Sequence, residues 1–268
     1  MPSVKTKDGA EIHYETQGKE DGEALLFVTG LGGNASFWTE QIPRFAGRHR
    51  VITYDHRGTG KSTMSRIRYS VDQMAEDALA VLDGLGVARA HLVGHSTGGC
   101  IGQVIAIEHP ERLLSLVASS SWTTADDYFT RLFEVRKRAL REGGPVTYVR
   151  CGTLFQYSPD WIAENMSAIE AAEQATLAAF PPPEIVESKI DAVVAFDRTA
   201  ELHRIKVPTL VNTAVDDLIC PPYFSRALAA AIPGARLGIV PQGGHFCPRA
   251  QPSLYFRSVD AFLSGVTR

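Results

Sequence analysis

The chain has only four cysteines in 268 residues, Cys100, Cys151, Cys220 and Cys247, and no two of them form a C-x-x-C pair. A zinc knuckle or a thioredoxin-type redox motif is therefore not expected. A chain of this length buries a full core without metal or disulfide staples. No apolar run reaches membrane length, and no signal-peptide core follows Met1. No membrane partner is expected, and a reducing, cytoplasmic setting is the default reading. Basic stripes are absent as well: 27 Lys and Arg face 30 Asp and Glu, for a net charge of −3, which argues against a nucleic-acid partner. The densest basic cluster, Arg131, Arg136, Lys137, Arg138 and Arg141, reads as a solvated helix face. There is no internal repeat and no low-complexity linker. Neither metal nor cofactor is expected, and a homodimer is left open.

What is present is an alternation of short apolar runs with helical patterns. Val4 to Lys7 and Ile12 to Tyr14 flank Asp8-Gly9, as in a β-hairpin. Ala24 to Val28, Val51 to Tyr54, His91 to Val93, Leu114 to Ala118, Thr209 to Asn212 and Leu237 to Val240 suit strands covered on both faces. Ser70 and Gln73 form a capping box for a helix ending near Gly84-Leu85-Gly86. Apolar residues from Ile101 to Ile107 mark a buried helix, and Ser253 to Leu263 a final one. Between Trp122 and Leu202 the strands cease. One helix around Tyr128 to Leu140 is expected to end at Gly143-Gly144-Pro145. A second is expected over Trp161 to Ala179 and a third over Glu184 to Phe196. The pattern predicts an α/β fold: a mostly parallel sheet flanked by helices, formed by residues 1–122 and 203–268, with a helical cap inserted at 123–202.

Chemistry concentrates at the ends of those strands. Gly94-His95-Ser96-Thr97-Gly98 matches G-x-S-x-G between a strand and a helix, where a tight turn projects the serine hydroxyl above the sheet. A serine hydroxyl needs an adjacent base, and Gly243-Gly244-His245 follows the last strand. The acid that orients the imidazole should follow Thr209 to Thr213. Asp217 is preferred there, with Asp216 as the alternative. An oxyanion hole is expected from the backbone amides of Thr97 and of Leu31, the latter in the turn Gly30-Leu31-Gly32-Gly33.

These segments, together with Asp55-His56-Arg57-Gly58-Thr59-Gly60-Lys61-Ser62, resemble the α/β-hydrolase family from about residue 20 onward. Thr29 departs from the histidine that often stands there in relatives, which leaves the backbone donors intact. The resemblance implies the α/β-hydrolase fold and a Ser96–His245–Asp217 triad. More narrowly, the segments around Phe37-Trp38 and Tyr54 to Gly60 and the cap from Phe133 to Trp161 resemble the aminoacrylate hydrolase of pyrimidine-ring breakdown.

Phe37, Trp38 and Phe246 lie beside the oxyanion loop or the base turn, and His95 precedes the serine. Trp122, Tyr128, Phe155 and Trp161 are further candidates for pocket walls, as are Phe129, Phe133 and Tyr157. Arg136 or Arg150 is available to bind a substrate carboxylate. The Asp55–Ser62 segment reads either as a structural turn held by an Arg57 ion pair or as a substrate contact. The function expected first is cleavage of a small carboxylic ester or lactone through an acyl-enzyme. An amide or enamine-type substrate comes second and a carbon–carbon bond hydrolase third. The rivals outside catalysis are a ligand-binding receptor on the same fold and a non-catalytic member of a degradation pathway. A haloalkane dehalogenase is not expected, because it would need a carboxylate where Ser96 stands.

Overall fold

The computed structural model describes residues 1–266, so the last two residues of the expected 203–268 segment lie outside the described residues. Eight strands form one sheet in the order β1-β2-β4-β3-β5-β6-β7-β8. They are β1 (Ser3–Lys5), β2 (Glu11–Gly18), β3 (Ala24–Val28), β4 (Arg50–Tyr54), β5 (Ala90–His95), β6 (Leu113–Ser119), β7 (Thr209–Ala214) and β8 (Arg236–Val240). Only the β1–β2 and β2–β4 pairings are antiparallel. The others are parallel, as the continuous apolar runs require: β3 and β5 are buried along their whole length.

Ten helices accompany the sheet among the described residues: α1 (Ile42–Phe45), α2 (Val71–Gly84), α3 (Thr97–Glu108), α4 (Asp127–Gln156), α5 (Pro159–Glu164), α6 (Met166–Ala178), α7 (Pro183–Val194), α8 (Pro222–Ala231), α9 (Cys247–Ala250) and α10 (Pro252–Val266). None is long and apolar enough to cross a membrane. Two apolar clusters cover the two faces of the sheet. One joins α2, α3 and the inner faces of α4 and α7. The other joins α1, α10 and the aromatic residues Phe27, Phe37, Trp38 and Phe45.

Several local expectations change. Ser70 caps α2 by accepting from the Gln73 amide at 3.1 Å, but the Gln73 side chain donates to Asp77 and does not close the box. The helix expected to end at Gly143-Gly144-Pro145 does break there, and a further helical stretch that was not foreseen runs on to Gln156. Gly144 adopts φ 72°, ψ −173°, which breaks the ladder where Pro145 lacks a donor. The helix expected over 161–179 is two helices separated at Asn165, whose φ and ψ of −124° and 23° are not helical. Helix α8 was not foreseen. It opens on Pro222 directly after the turn that carries Asp217.

Candidate active site

Strand β5 delivers Ser96 into a turn that only small neighbours allow. Ser96 has φ 55° and ψ −119°, a sparsely populated conformation for a non-glycine residue. A Cβ on Gly94 would lie 2.1 Å from the Gly98 carbonyl oxygen, and one on Gly98 would lie 2.1 Å from the Val28 oxygen. The two glycines thus let α3 start directly against β3. The Ser96 amide donates to the Ser119 carbonyl at 2.8 Å, which locks the turn to β6. The loop after β3 closes over the serine: a Cβ on Gly30 would meet the Ser96 side chain at 3.0 Å. Among the described residues, neither the Leu31 nor the Thr97 amide is taken up by another protein group. Thr97 is the first residue of α3, whose leading amides have no partner within the helix.

The two carboxylates after β7 divide their work. His245 Nδ1 donates to Asp217, with both carboxylate oxygens at 3.0 Å. Asp217 Oδ1 also accepts from the amides of Ile219 and Cys220 at 2.9 and 2.8 Å, so its orientation is fixed by its own turn. Asp216 accepts instead from the amides of Gly243 and Gly244 at 3.1 and 2.9 Å. Its role as a tie for the histidine turn was not foreseen. Asp217 and His245 are both almost fully buried. Among the described residues, no hydrogen bond joins Ser96 Oγ to His245. Catalytic contacts of this kind are often long in unliganded enzymes.

An aromatic chain surrounds this pair. The His245 and His95 ring centroids are 4.8 Å apart, Phe37 stacks on His95 at 4.8 Å, and Phe246 meets Phe37 edge-on at 5.1 Å. Tyr157 links Phe246 to Trp161, against which it stacks at 4.2 Å. His95 is buried, and neither ring nitrogen has a partner among the described residues. Burial, with His245 adjacent, holds its pKa well below the usual histidine range, so it stays neutral. The C-terminal end of α4 closes on the His245 turn: the Phe246 amide donates to the Gln156 carbonyl at 2.8 Å.

Other expected wall residues lie elsewhere. Trp38 is fully buried between Phe27 and Tyr255 in the second apolar cluster, so it is core and not pocket. Trp122 is 1% exposed and packs on Phe129 and Phe196. Phe129 and Phe133 belong to the same cluster, and half-buried Phe155 packs against it. Tyr128 lies at the surface and donates from its hydroxyl to the Leu218 carbonyl, pinning α4 to the turn that carries Asp217. Arg57 is structural: it is buried and bound by Asp77 and Asp8. Cys100 is a buried thiol whose pKa burial pushes up to about 12. An open groove of about 860 Å³ between the start of α2 and α7 shares no lining residue with this site. No cluster of metal-ligating side chains occurs among the described residues.

A strained serine follows β5, and a buried histidine–carboxylate pair lies on the turns after β7 and β8, all at the carboxyl ends of parallel strands in a doubly flanked sheet. The chain belongs to the α/β-hydrolase fold family, whose model matches residues 23–247. It is 43% identical to a protein of Azorhizobium caulinodans with the provisional name carbamate hydrolase RutD, over 99% of each chain. It is 38% identical to the protein of the same name from Caulobacter vibrioides, over 98% of each. In three dimensions it resembles the enol-lactonase of Burkholderia xenovorans, with a TM-score of 0.90 and 25% identity over 98% of this chain and 100% of that one. It also resembles a thermophilic esterase from Thermogutta terrifontis, with a TM-score of 0.87 and 26% identity over 99% of this chain and 98% of that one. The protein is a hydrolase of this fold.

Proposed function

We propose that the chain is a serine hydrolase that cleaves the carbon–nitrogen bond of a small amide or carbamate-type compound. The observation that carries the reading is the buried His245–Asp217 pair beside the strained Ser96 turn. His245 Nε2 takes the Ser96 proton as Oγ attacks the carbonyl. The Leu31 and Thr97 amides stabilise the oxyanion. The tetrahedral intermediate then breaks its carbon–nitrogen bond, and His245 returns the proton to the departing nitrogen. Water, deprotonated by His245, hydrolyses the acyl-enzyme and releases a carboxylic acid. The choice of an amide-type substrate is supported by the name that the full-length relatives carry. A second reading, ester or lactone cleavage through the same acyl-enzyme, is favoured by the lactonase and esterase likenesses.

The test compares amine release from small amides and carbamates with acid release from esters of the same acyl groups, for wild type and Ser96→Ala. The expected result is turnover of the nitrogen compounds that Ser96→Ala abolishes. Turnover of esters alone would replace the substrate class. Full activity in Ser96→Ala would remove the mechanism.

A further inference from the structure

We propose that Lys189 is a positioning residue for the reaction: from α7 it holds the Thr59 hydroxyl, and through Thr59 it steadies the Gly30–Gly33 turn that carries the Leu31 amide. This rests on the hydrolase reading above, in which that amide meets the oxyanion. Lys189 is the charged member of the buried stripe of α7, with Ile185, Val186, Ile190 and Val193. It is 3% exposed.

Among the described residues this amine has no ion pair. The two carboxylates whose charge acts on it are engaged elsewhere. Asp77 binds Arg57, and Asp55 accepts from the amides of Ala35 and Lys61 at 2.9 Å each. The one hydrogen bond of Lys189 runs from Nζ to Thr59 Oγ1 at 2.7 Å, and the Tyr69 ring lies 5.4 Å from Nζ. Burying an ammonium in this way is unfavourable, and burial lowers its pKa to about 7. A methionine has similar length and would fill the same space without that penalty. What the lysine adds is a donor aimed at Thr59.

Thr59 stands against the turn. Gly33 has φ 67°, and a Cβ there would lie 2.7 Å from His56 Cβ and 3.1 Å from Thr59 Oγ1. The backbone of Gly33 and these two side chains are therefore in direct contact. The Gly33 amide closes the turn onto the Gly30 carbonyl at 2.9 Å, and its carbonyl accepts from the His56 amide at 2.8 Å. At the other end of the turn a Cβ on Gly30 would lie 3.0 Å from Ser96 Cβ and 3.5 Å from Ser96 Oγ. The four residues thus bridge Thr59 and Ser96, with Leu31 between. His56 offers no anchor of its own beyond its backbone, since its buried Nε2 has no partner. The bond from Lys189 keeps the Thr59 oxygen toward Gly33. Without it the side chain is free to turn its bulkier methyl there and push the turn. A shift of a fraction of an ångström in an oxyanion donor weakens it where charge develops and leaves ground-state binding almost untouched.

The experiment follows phosphonylation of Ser96 by a small neutral alkyl fluorophosphonate, whose phosphoryl oxygen gains charge in the oxyanion site as Oγ attacks. The full chain is used, and the maximal labelling rate is separated from the half-saturating concentration for the folded fraction of each variant. Lys189→Met should lower the maximal rate on the order of 10- to 100-fold with the half-saturating concentration within about twofold of wild type. Thr59→Val should do the same, Thr59→Ser should keep the wild-type rate, and the double variant should be no slower than either single one. A purely structural lysine would change the amount of folded protein and not the rate of the folded fraction. An unchanged maximal rate in Lys189→Met, a loss confined to the half-saturating concentration, or a double variant that multiplies the two losses would overturn the proposal. Should Lys189→Met not fold, Thr59→Val against Thr59→Ser decides, and equal rates refute it. No labelling of wild type would sink the hydrolase reading itself, whereas normal labelling of wild type and variants alike would sink only the role of Lys189.

Discussion

Asp216 and Asp217 are consecutive, yet they grip the histidine turn at different points: Asp217 holds the His245 ring through Nδ1, and Asp216 holds the backbone of Gly243 and Gly244. One carboxylate fixes the tautomer of the imidazole and the other fixes its position.

The two should separate in kinetics. Asp217→Asn offers the ring a donor in place of an acceptor, and kcat should fall on the order of 10⁴-fold. Asp216→Asn only loosens the turn, with a loss on the order of 10²-fold at most. Steady-state rates on one substrate check this, and equal losses in the two variants would contradict the division of roles.

The serine turn should tolerate no side chain at its two glycines. An added Cβ at Gly94 or Gly98 meets backbone atoms that belong to the sheet and α3 and cannot swing away. Gly94→Ala and Gly98→Ala should each lose about 3 kcal/mol or more in urea unfolding. A loss under about 1 kcal/mol would mean that the sheet adapts.

A buried lysine carries a pH signature. Lys189 on α7 is buried, donates to Thr59 Oγ1 at 2.7 Å and lies over the Tyr69 ring. Burial lowers its pKa from 10.5 to about 7, against the opposing pull of Asp77 and Asp55. Between these values the unfolded chain holds a proton that the folded one lacks, so this group's contribution to stability rises from pH 7 to pH 10.5 and is flat below and above. Lys189→Met removes the slope. The melting temperature of the variant minus that of wild type should therefore fall between pH 7 and pH 10, and a constant difference would contradict the shift.

Arg57 and Asp77 form a buried pair, with Arg57 Nη2 2.7 Å from Asp77 Oδ1. Arg57→Met alone strands Asp77 and should cost about 3–5 kcal/mol. The double variant Arg57→Met, Asp77→Leu should recover part of that loss in a double-mutant cycle. Strict additivity would show that the pair is not coupled.

The serine turn and histidine turn were legible because glycines at fixed offsets leave few backbone solutions, and the parallel strands were legible as apolar runs too short for helices. The acid was harder to assign, since two adjacent carboxylates differ only in the direction their turn gives them. The aromatic walls were least legible. Trp38 and Trp122 stand near motifs in sequence, but the face of the sheet they cover is fixed by packing against Phe27 and Tyr255 in one case and Phe129 in the other. Likewise nothing in the spacing of Arg136 and Arg150 says which of them turns inward; Arg136 falls on the buried stripe of α4 with Phe133 and Leu140.

The most direct measurement is the intact mass of the protein after treatment with a serine-directed phosphonate, wild type beside Ser96→Ala. The account requires one adduct on wild type and none on the variant. No adduct on folded wild-type protein, or the same adduct on both, would contradict an activated Ser96.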